Sequence, residues 1–285
     1  MPREAGRKTM TALPTRRHAL GLVGLGAFGA LVAACSSDEK SDDAATSGTS
    51  LQSIRDKGKL RIGMEGTFRP YGYHDGGKLV GFEKEIGDLI AADLGVEPQY
   101  VETQWDSLIA GVDAGRYDII INNISATSER RKKFDFSVPY AESRGKVGVA
   151  KDSKLKSTDE IRGHTAGQTE TSNFGQQMAG EGATLVPVTS FDEAAMLVSF
   201  GRVDMTGNDF VTFQAFFDQR PDHNLRLLDG DLGEPSQAAV LMGKGQTQLK
   251  QAIDDSLNKH IDAGDLKKIY EKYVRTDLTP QSSTS

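Results

Sequence analysis

The stretch 104–140, QWDSLIAGVDAGRYDIIINNISATSERRKKFDFSVPY, constrains this chain more than any other. Residues 105–114 carry Leu108, Ile109 and Val112 at a spacing that predicts one buried face of a short helix. Residues 118–121 form a β-branched run followed by polar residues, which predicts a buried parallel strand. Just past its carboxyl end stand the small hydrogen-bonding residues of Asn122-Asn123-Ile124-Ser125-Ala126-Thr127. Thr127 is expected to cap a second helix that opens at Ser128.

In an open α/β sheet, ligands sit at the carboxyl ends of the strands. An arginine, two hydroxyls and a helix N-terminus gathered there suit a carboxylate. Arg130 offers two parallel hydrogen bonds, and the helix end adds N–H donors and a favourable dipole. Arg130 reads equally well as one more solvated charge in the run SERRKK, and the local residues leave both readings open.

The flanking sequence keeps the same alternation. Residues 60–65 predict a strand leading into the loop Gly66-Thr67-Phe68-Arg69-Pro70-Tyr71, and 74–78 a turn. Gly81-Phe82-Glu83 opens a helix with Ile86, Leu89, Ile90 and Leu94 on one face, stopped at Gly95, and 99–102 is a short strand. Glu83 and Asp204 read as structural charges. A second strand–helix series spans 165–217, followed by a strand at 225–228 and a return crossing at 238–242. Leu249, Ile253, Leu257 and Ile261 mark a long amphipathic helix, and Leu266, Ile269, Tyr270 and Tyr273 a terminal one. Two α/β units joined by two crossings predict two lobes with a cleft between them.

Residues 1–35 read as a targeting segment. Arg3, Arg7, Lys8, Arg16 and Arg17 precede the uncharged run ALGLVGLGAFGALVAA, which is short and glycine-rich for a membrane span. Val32-Ala33-Ala34-Cys35 resembles a lipobox, so Cys35 is the expected lipidation (palmitate) site, and Thr15-Arg16-Arg17 is similar to a twin-arginine signal. Residues 36–50, SSDEKSDDAATSGTS, bury too little apolar surface to order themselves and read as a tether. The whole chain has a formal charge of −6; without residues 1–34, which hold five basic residues and one acid, it is −10. An acidic surface with no basic stripe argues against nucleic acid as a partner. The single Cys makes no internal disulfide, and no Cys/His cluster implies a metal or cofactor.

The order Trp105-Asp106, Leu108, Gly111, Asp118, Ser125, Thr127, Glu129-Arg130, Phe134-Asp135-Phe136-Ser137 and Pro139-Tyr140 resembles the extracellular solute-binding proteins, family 3, of polar amino acid ABC transporters. The resemblance runs from about Leu60 to Val274 and implies a type II periplasmic-binding-protein-like α/β fold. Each lobe would be a mixed sheet flanked by helices: lobe I from 51–145 plus 237–280, lobe II from 146–236, with 281–285 a tail. It implies a monomer outside the cytoplasmic membrane that captures an amino acid and delivers it to a permease. In that site Arg130 takes the α-carboxylate, helped by Ser125, the backbone near Asn123 and, from the other lobe, Thr171. Asp209 takes the ammonium, although it also reads as the cap of a helix at 210–217, a role that Asn208 could fill instead. Phe68 and Trp105 would sandwich the aliphatic part, and Glu65 a second ammonium.

Thr103-Gln104-Trp105-Asp106 and Thr171-Ser172-Asn173-Phe174 look most like the cystine-binding branch, where two ammonium groups would give Glu65 and Asp209 separate partners. Thr169-Glu170 departs from the Gly-Ser or Gly-Thr of many members. No nucleophile elbow or Ser/His/Asp set points to catalysis. Two alternatives share the fold: an enzyme similar to the periplasmic cyclohexadienyl dehydratases, and a lipid-anchored amino acid sensor. If Cys35 is the anchor, Cys35→Ala is expected to move the protein from the membrane fraction to the soluble fraction; a variant that stays membrane-bound and uncleaved would make the apolar run the anchor.

Overall fold

The computed structural model describes residues 50–280. The signal segment, Cys35, nearly all of the tether and the 281–285 tail lie outside the described residues. The first part of the chain runs α1 (Leu51–Lys57), β1 (Lys59–Met64), β2 (Thr67–Phe68), β3 (Gly72–Asp75), β4 (Lys78–Val80), α2 (Phe82–Leu94), β5 (Glu97–Glu102), α3 (Trp105–Asp113), β6 (Ile119–Ile120), α4 (Ser128–Lys133) and β7 (Phe134–Ser143). Next come β8 (Gly145–Ala150), β9 (Thr165–Gln168), α5 (Asn173–Gly180), β10 (Thr184–Pro187), α6 (Phe191–Ser199), β11 (Met205–Asp209), α7 (Phe210–Gln219) and β12 (Leu225–Leu227). The last elements are β13 (Ser236–Gly243), α8 (Thr247–Asp262) and α9 (Asp265–Val274).

Two mixed sheets result. The first has the order β5-β1-β6-β13-β7, with β1 parallel to β5 and β6 and with β13 antiparallel to β6 and β7. The second has the order β10-β9-β11-β8-β12, with β9 parallel to β10 and β11 and with β8 antiparallel to β11 and β12. A small sheet, β2-β3-β4, closes around the turn at Gly76 and Gly77, whose positive φ of 55° and 80° suits glycine.

Each large sheet has its own apolar filling. On the first, Leu60, Ile62, Phe82, Ile86 and Ile90 pack with Leu249, Ile253, Leu257, Leu266 and Tyr270 of the two C-terminal helices. On the second, Val147, Val149, Ala166, Met178 and Met205 form one cluster, and Ala195, Val198, Phe213 and Phe216 another. Separate cores make two bodies that can each stay intact while turning against the other. The chain crosses between them at 144 and again at 233–235. The crossings lie side by side, because Ser143 at the end of β7 pairs with Ser236 at the start of β13. Gly145 follows at once; a Cβ there would stand 2.6 Å from the Leu232 carbonyl oxygen, so only glycine fits this corner.

Several expectations shift. The strand predicted at 118–121 is only Ile119–Ile120, although the Asp118 and Ile121 N–H groups still donate to the Arg61 and Gly63 carbonyls of β1. Within the second series, one strand runs from Met205 through Asp209, so Asp209 closes that strand directly before α7. Helix α1 had no reading in the sequence, and β7 had none as a strand. Pro139 lowers the strand signal of β7, but β7 is the sheet edge, where a missing N–H is tolerated, and its register with β13 shifts beside Ala239. No helix among the described residues is long and apolar enough to cross a membrane.

Candidate functional site

The carboxyl ends of β1 and β6 face the second lobe. Glu65 follows β1, and its side chain accepts from Asn122 Nδ2 at 2.8 Å while its N–H donates to Asn122 Oδ1 at 2.8 Å. Asn123 adopts the left-handed conformation (φ 49°), which asparagine tolerates better than most residues. This turn sends its N–H to Glu83 Oε1 at 2.6 Å and its side-chain amide to Asp209 Oδ2 at 2.6 Å. The Asn123 N–H, expected near a ligand carboxylate, is thus engaged by a protein carboxyl.

Glu83 is fully buried in the first turn of α2 and also accepts from the Tyr140 hydroxyl. Its Oε2 has no hydrogen-bond partner. Burial pushes the Glu83 carboxyl up to about 8, against the pull of the Tyr140 and Asn123 donors. Burial likewise raises Glu65 to about 7, with Asn122 pulling the other way.

Thr127 caps α4 as expected, accepting from the Arg130 N–H at 3.3 Å. The Arg130 guanidinium donates from Nη1 to the Ser125 carbonyl and from Nη2 to the Thr171 carbonyl, each at 3.0 Å. It lies 5.7 Å from the centre of the Trp105 ring. Desolvation lowers its pKa to about 10, and among the described residues no carboxylate pairs with it. Arg130 is therefore not one of a solvated run; it bridges the lobes. Ser125 contributes its carbonyl rather than its hydroxyl, which pairs with the Ser236 hydroxyl.

Asp209 is 1% exposed and caps α7, accepting from the Thr212 N–H at 3.0 Å and the Thr212 hydroxyl at 3.1 Å. Asn208 is not the cap; its side chain accepts from the Asp209 N–H. From the first lobe, Tyr71 donates its hydroxyl to Asp209 at 2.6 Å beside the Asn123 amide. Thr171 precedes Ser172, the cap of α5, and gives its N–H and hydroxyl to Asp106 across the cleft, at 3.3 and 3.0 Å. Both Thr171 donors, expected to meet a ligand carboxylate, meet this one.

Glu65, Phe68, Trp105 and Asn123 line one narrow cavity of about 60 Å³ together with Ser172 and Asn208. Arg130, Ser125, Thr171 and Asp209 are not in its wall: Arg130 joins the Ser125 and Thr171 carbonyls and lies against the Trp105 ring, and Asp209 is bonded separately to Asn123 of the lining. Phe68 stacks on Tyr71, with ring centres 4.5 Å apart. The Trp105 Nε1 is buried without a hydrogen-bond partner, so Trp105 brings a donor as well as a ring. An adjoining chamber of about 610 Å³ shares Glu65 and Phe68 with the cavity. Tyr71 and Asp106 join the cleft although no site role was expected of either. An aromatic straight after Pro70, and an acid beside Trp105 at the start of the predicted helix α3, were the available signals.

A hinged pair of α/β lobes with polar groups converging on the cleft is a receptor for a small solute. The family model of the bacterial extracellular solute-binding proteins, family 3, matches residues 60–276, and the chain belongs to that family. It is a solute-binding protein and not an enzyme. It is 33% identical to the L-cystine-binding protein TcyA of Bacillus subtilis (strain 168) over 255 residues, 88% of this chain and 94% of the relative. The L-cystine-binding protein TcyJ of Escherichia coli (strain K12) is 30% identical over 233 residues, 80% of this chain and 87% of the relative. Among solved structures, an ancestral arginine-binding protein bound to arginine superposes with a TM-score of 0.71 at 31% identity, covering 76% of this chain and 98% of that one.

Glu83 supplies a pH prediction. A carboxyl whose pKa is higher folded than unfolded stabilises the fold fully below its unfolded value, and that contribution fades as pH rises through the folded value. With Glu83 raised from 4.5 to about 8, the melting temperature is expected to fall between about pH 5 and 8. Glu83→Gln, which mimics the neutral acid, should flatten that fall in thermal melts across the range. An equally steep fall in the variant would assign the dependence to other groups.

Proposed function

We propose that the chain captures a free amino acid, with L-cystine the favoured one, between its two lobes and hands it to the membrane permease of an ABC importer. Membership of the family supports the coarser part, since its relatives include proteins named for binding amino acids. Arg130 carries the rest: a desolvated cation in the cleft, held by one carbonyl from each lobe and by no carboxylate among the described residues. A ligand α-carboxylate supplies the missing counter-charge.

The bonds across the cleft support a place for each of the other handles. When the lobes part, Asp209 keeps its Thr212 donors and loses Tyr71 and Asn123, leaving room for an ammonium. Thr171 likewise loses Asp106, which frees two donors for the ligand carboxylate. Phe68 and Trp105 would flank the aliphatic part, and Glu65 would take a second ammonium. Names of the relatives favour cystine, which has two such groups. Cys35 as a lipid anchor at the outer face of the cytoplasmic membrane completes the reading.

Calorimetry with the purified protein tests it. Arg130→Ala should weaken amino acid binding by about 2–4 kcal/mol, because a ligand charge then stays unpaired in the closed cleft. Equal affinity of the wild type for a decarboxylated analogue would remove Arg130 from this role.

Glu65 gives a separate readout. An ammonium beside a carboxyl raised to about 7 favours its charged form, so L-cystine binding near pH 7 should release protons. Titrations in buffers of different ionisation enthalpy measure this release, and Glu65→Gln should abolish it. Unchanged release in the variant would place the second ammonium elsewhere.

A further inference from the structure

The narrow cavity and the larger chamber share Glu65, Phe68, Ser190 and Phe191, so the one opens into the other through these four residues. The chamber is walled by Arg69 and Gln104 from the first lobe and by Thr189 and Gln219 from the second. Its remaining charged side chains are acids. Glu102 pairs with His74 Nε2 at 2.9 Å, and Asp192 with Arg220 Nη1 at 3.2 Å. Glu65 is held by Asn122.

Arg69 stands apart from these pairs. Its guanidinium lies 3.8 Å from the centre of the Tyr73 ring, and its Nη2 gives one hydrogen bond, to the His74 carbonyl at 3.3 Å. Among the described residues no carboxylate pairs with it, although Glu102 lines the same chamber. A guanidinium has five N–H donors in a fixed fork that matches a carboxylate, and stacking on an aromatic ring fixes its plane without using those donors. Arg69 is thus a pre-oriented, half-buried cation in the wall of a chamber too large for the side chain of a short amino acid.

We propose that Arg69 binds a distal carboxylate, so that the chamber receives the second amino acid head of an elongated ligand such as L-cystine. This inference rests on the amino acid reading above and adds to it the class of ligand: one with a carboxylate at each end. The inner head meets Arg130, and the outer head places its ammonium at Glu65, at the neck, and its carboxylate at Arg69. A side chain that ends in a cation, as in arginine or lysine, meets like charge at Arg69 instead. One residue therefore separates cystine-like from arginine-like ligands.

The test is calorimetry of the wild type and of Arg69→Gln with four probes: L-cystine, the mixed disulfide of L-cysteine with cysteamine, L-glutamine and L-arginine. The mixed disulfide keeps the distal ammonium and lacks the distal carboxylate. Arg69→Gln should weaken L-cystine roughly 10–100-fold, the range of a charge-assisted hydrogen bond. It should leave the mixed disulfide and glutamine within about fivefold, as for loss of a surface charge, and should tighten arginine. Arg69→Lys should recover part of the cystine affinity. Equal losses for L-cystine and the mixed disulfide, parallel losses for all probes, or no loss for L-cystine would each overturn the assignment. Wild type that binds glutamine or arginine but not L-cystine overturns this inference and the choice of cystine while the amino acid reading stands; wild type that binds no amino acid overturns that reading as well.

Discussion

One buried carboxyl holds the cleft together. Glu83, in the first turn of α2, accepts from the backbone of Asn123 and from the hydroxyl of Tyr140 on β7. It thereby ties a helix, the loop after β6 and the strand that leads to the first crossing. Asn123 can lend its side chain to Asp209 only because its backbone is turned left-handed against Glu83. Asp209 in turn caps the first helical turn of α7 in the other lobe. The Asn123–Asp209 bond between lobes thus rests on a carboxyl that no solvent reaches, and burial raises that carboxyl's pKa to about 8.

The bonds across the cleft have the chemistry of an amino acid. Asp106 presents a carboxylate to the Thr171 N–H and hydroxyl, and Tyr71 and Asn123 present donors to Asp209. Each lobe satisfies the other with a group of the kind a ligand would bring. Desolvated polar groups need such partners, so a closed cleft has to supply them from somewhere. Arg130 is the exception: its two hydrogen bonds go to carbonyls, and among the described residues no carboxylate forms an ion pair with it.

Much of this could be read in the sequence, and the reasons it stops are physical. The 3.6-residue periodicity fixed α2, α3 and α8 to within a few residues, and the Thr127 cap of α4 followed from one hydroxyl before a charged turn. Residues that follow strands, such as Glu65 and Asn123, were placed by the rule that ligands gather there. What escaped was long-range. The choice between Asp209 and Asn208 as cap depends on which side chain turns back onto Thr212, and both residues suit the role equally in sequence. The Thr171 donors were assigned to a ligand because nothing in the sequence brings Asp106 near them; they are 65 residues apart. Edge strand β7 was hidden by Pro139, and periodicity held no signal for the return of α8 and α9 to the first sheet, which only the family resemblance implied.

The balance between open and closed forms follows from the kind of contact at the cleft. Hydrogen bonds between polar groups that water can replace on opening contribute only about 1 kcal/mol each, net of solvation. Closure that rests on a handful of them is shallow, and a solute shifts it only by binding the closed form more tightly than the open one. A neutral solute would merely exchange one set of such bonds for another. A solute with a carboxylate for Arg130 and an ammonium for Asp209 adds charge-assisted bonds that involve both lobes together, which neither lobe can make with its own groups. The cleft therefore selects for charge at both handles before it selects for the side chain, and the residues beyond Glu65 decide what that side chain is.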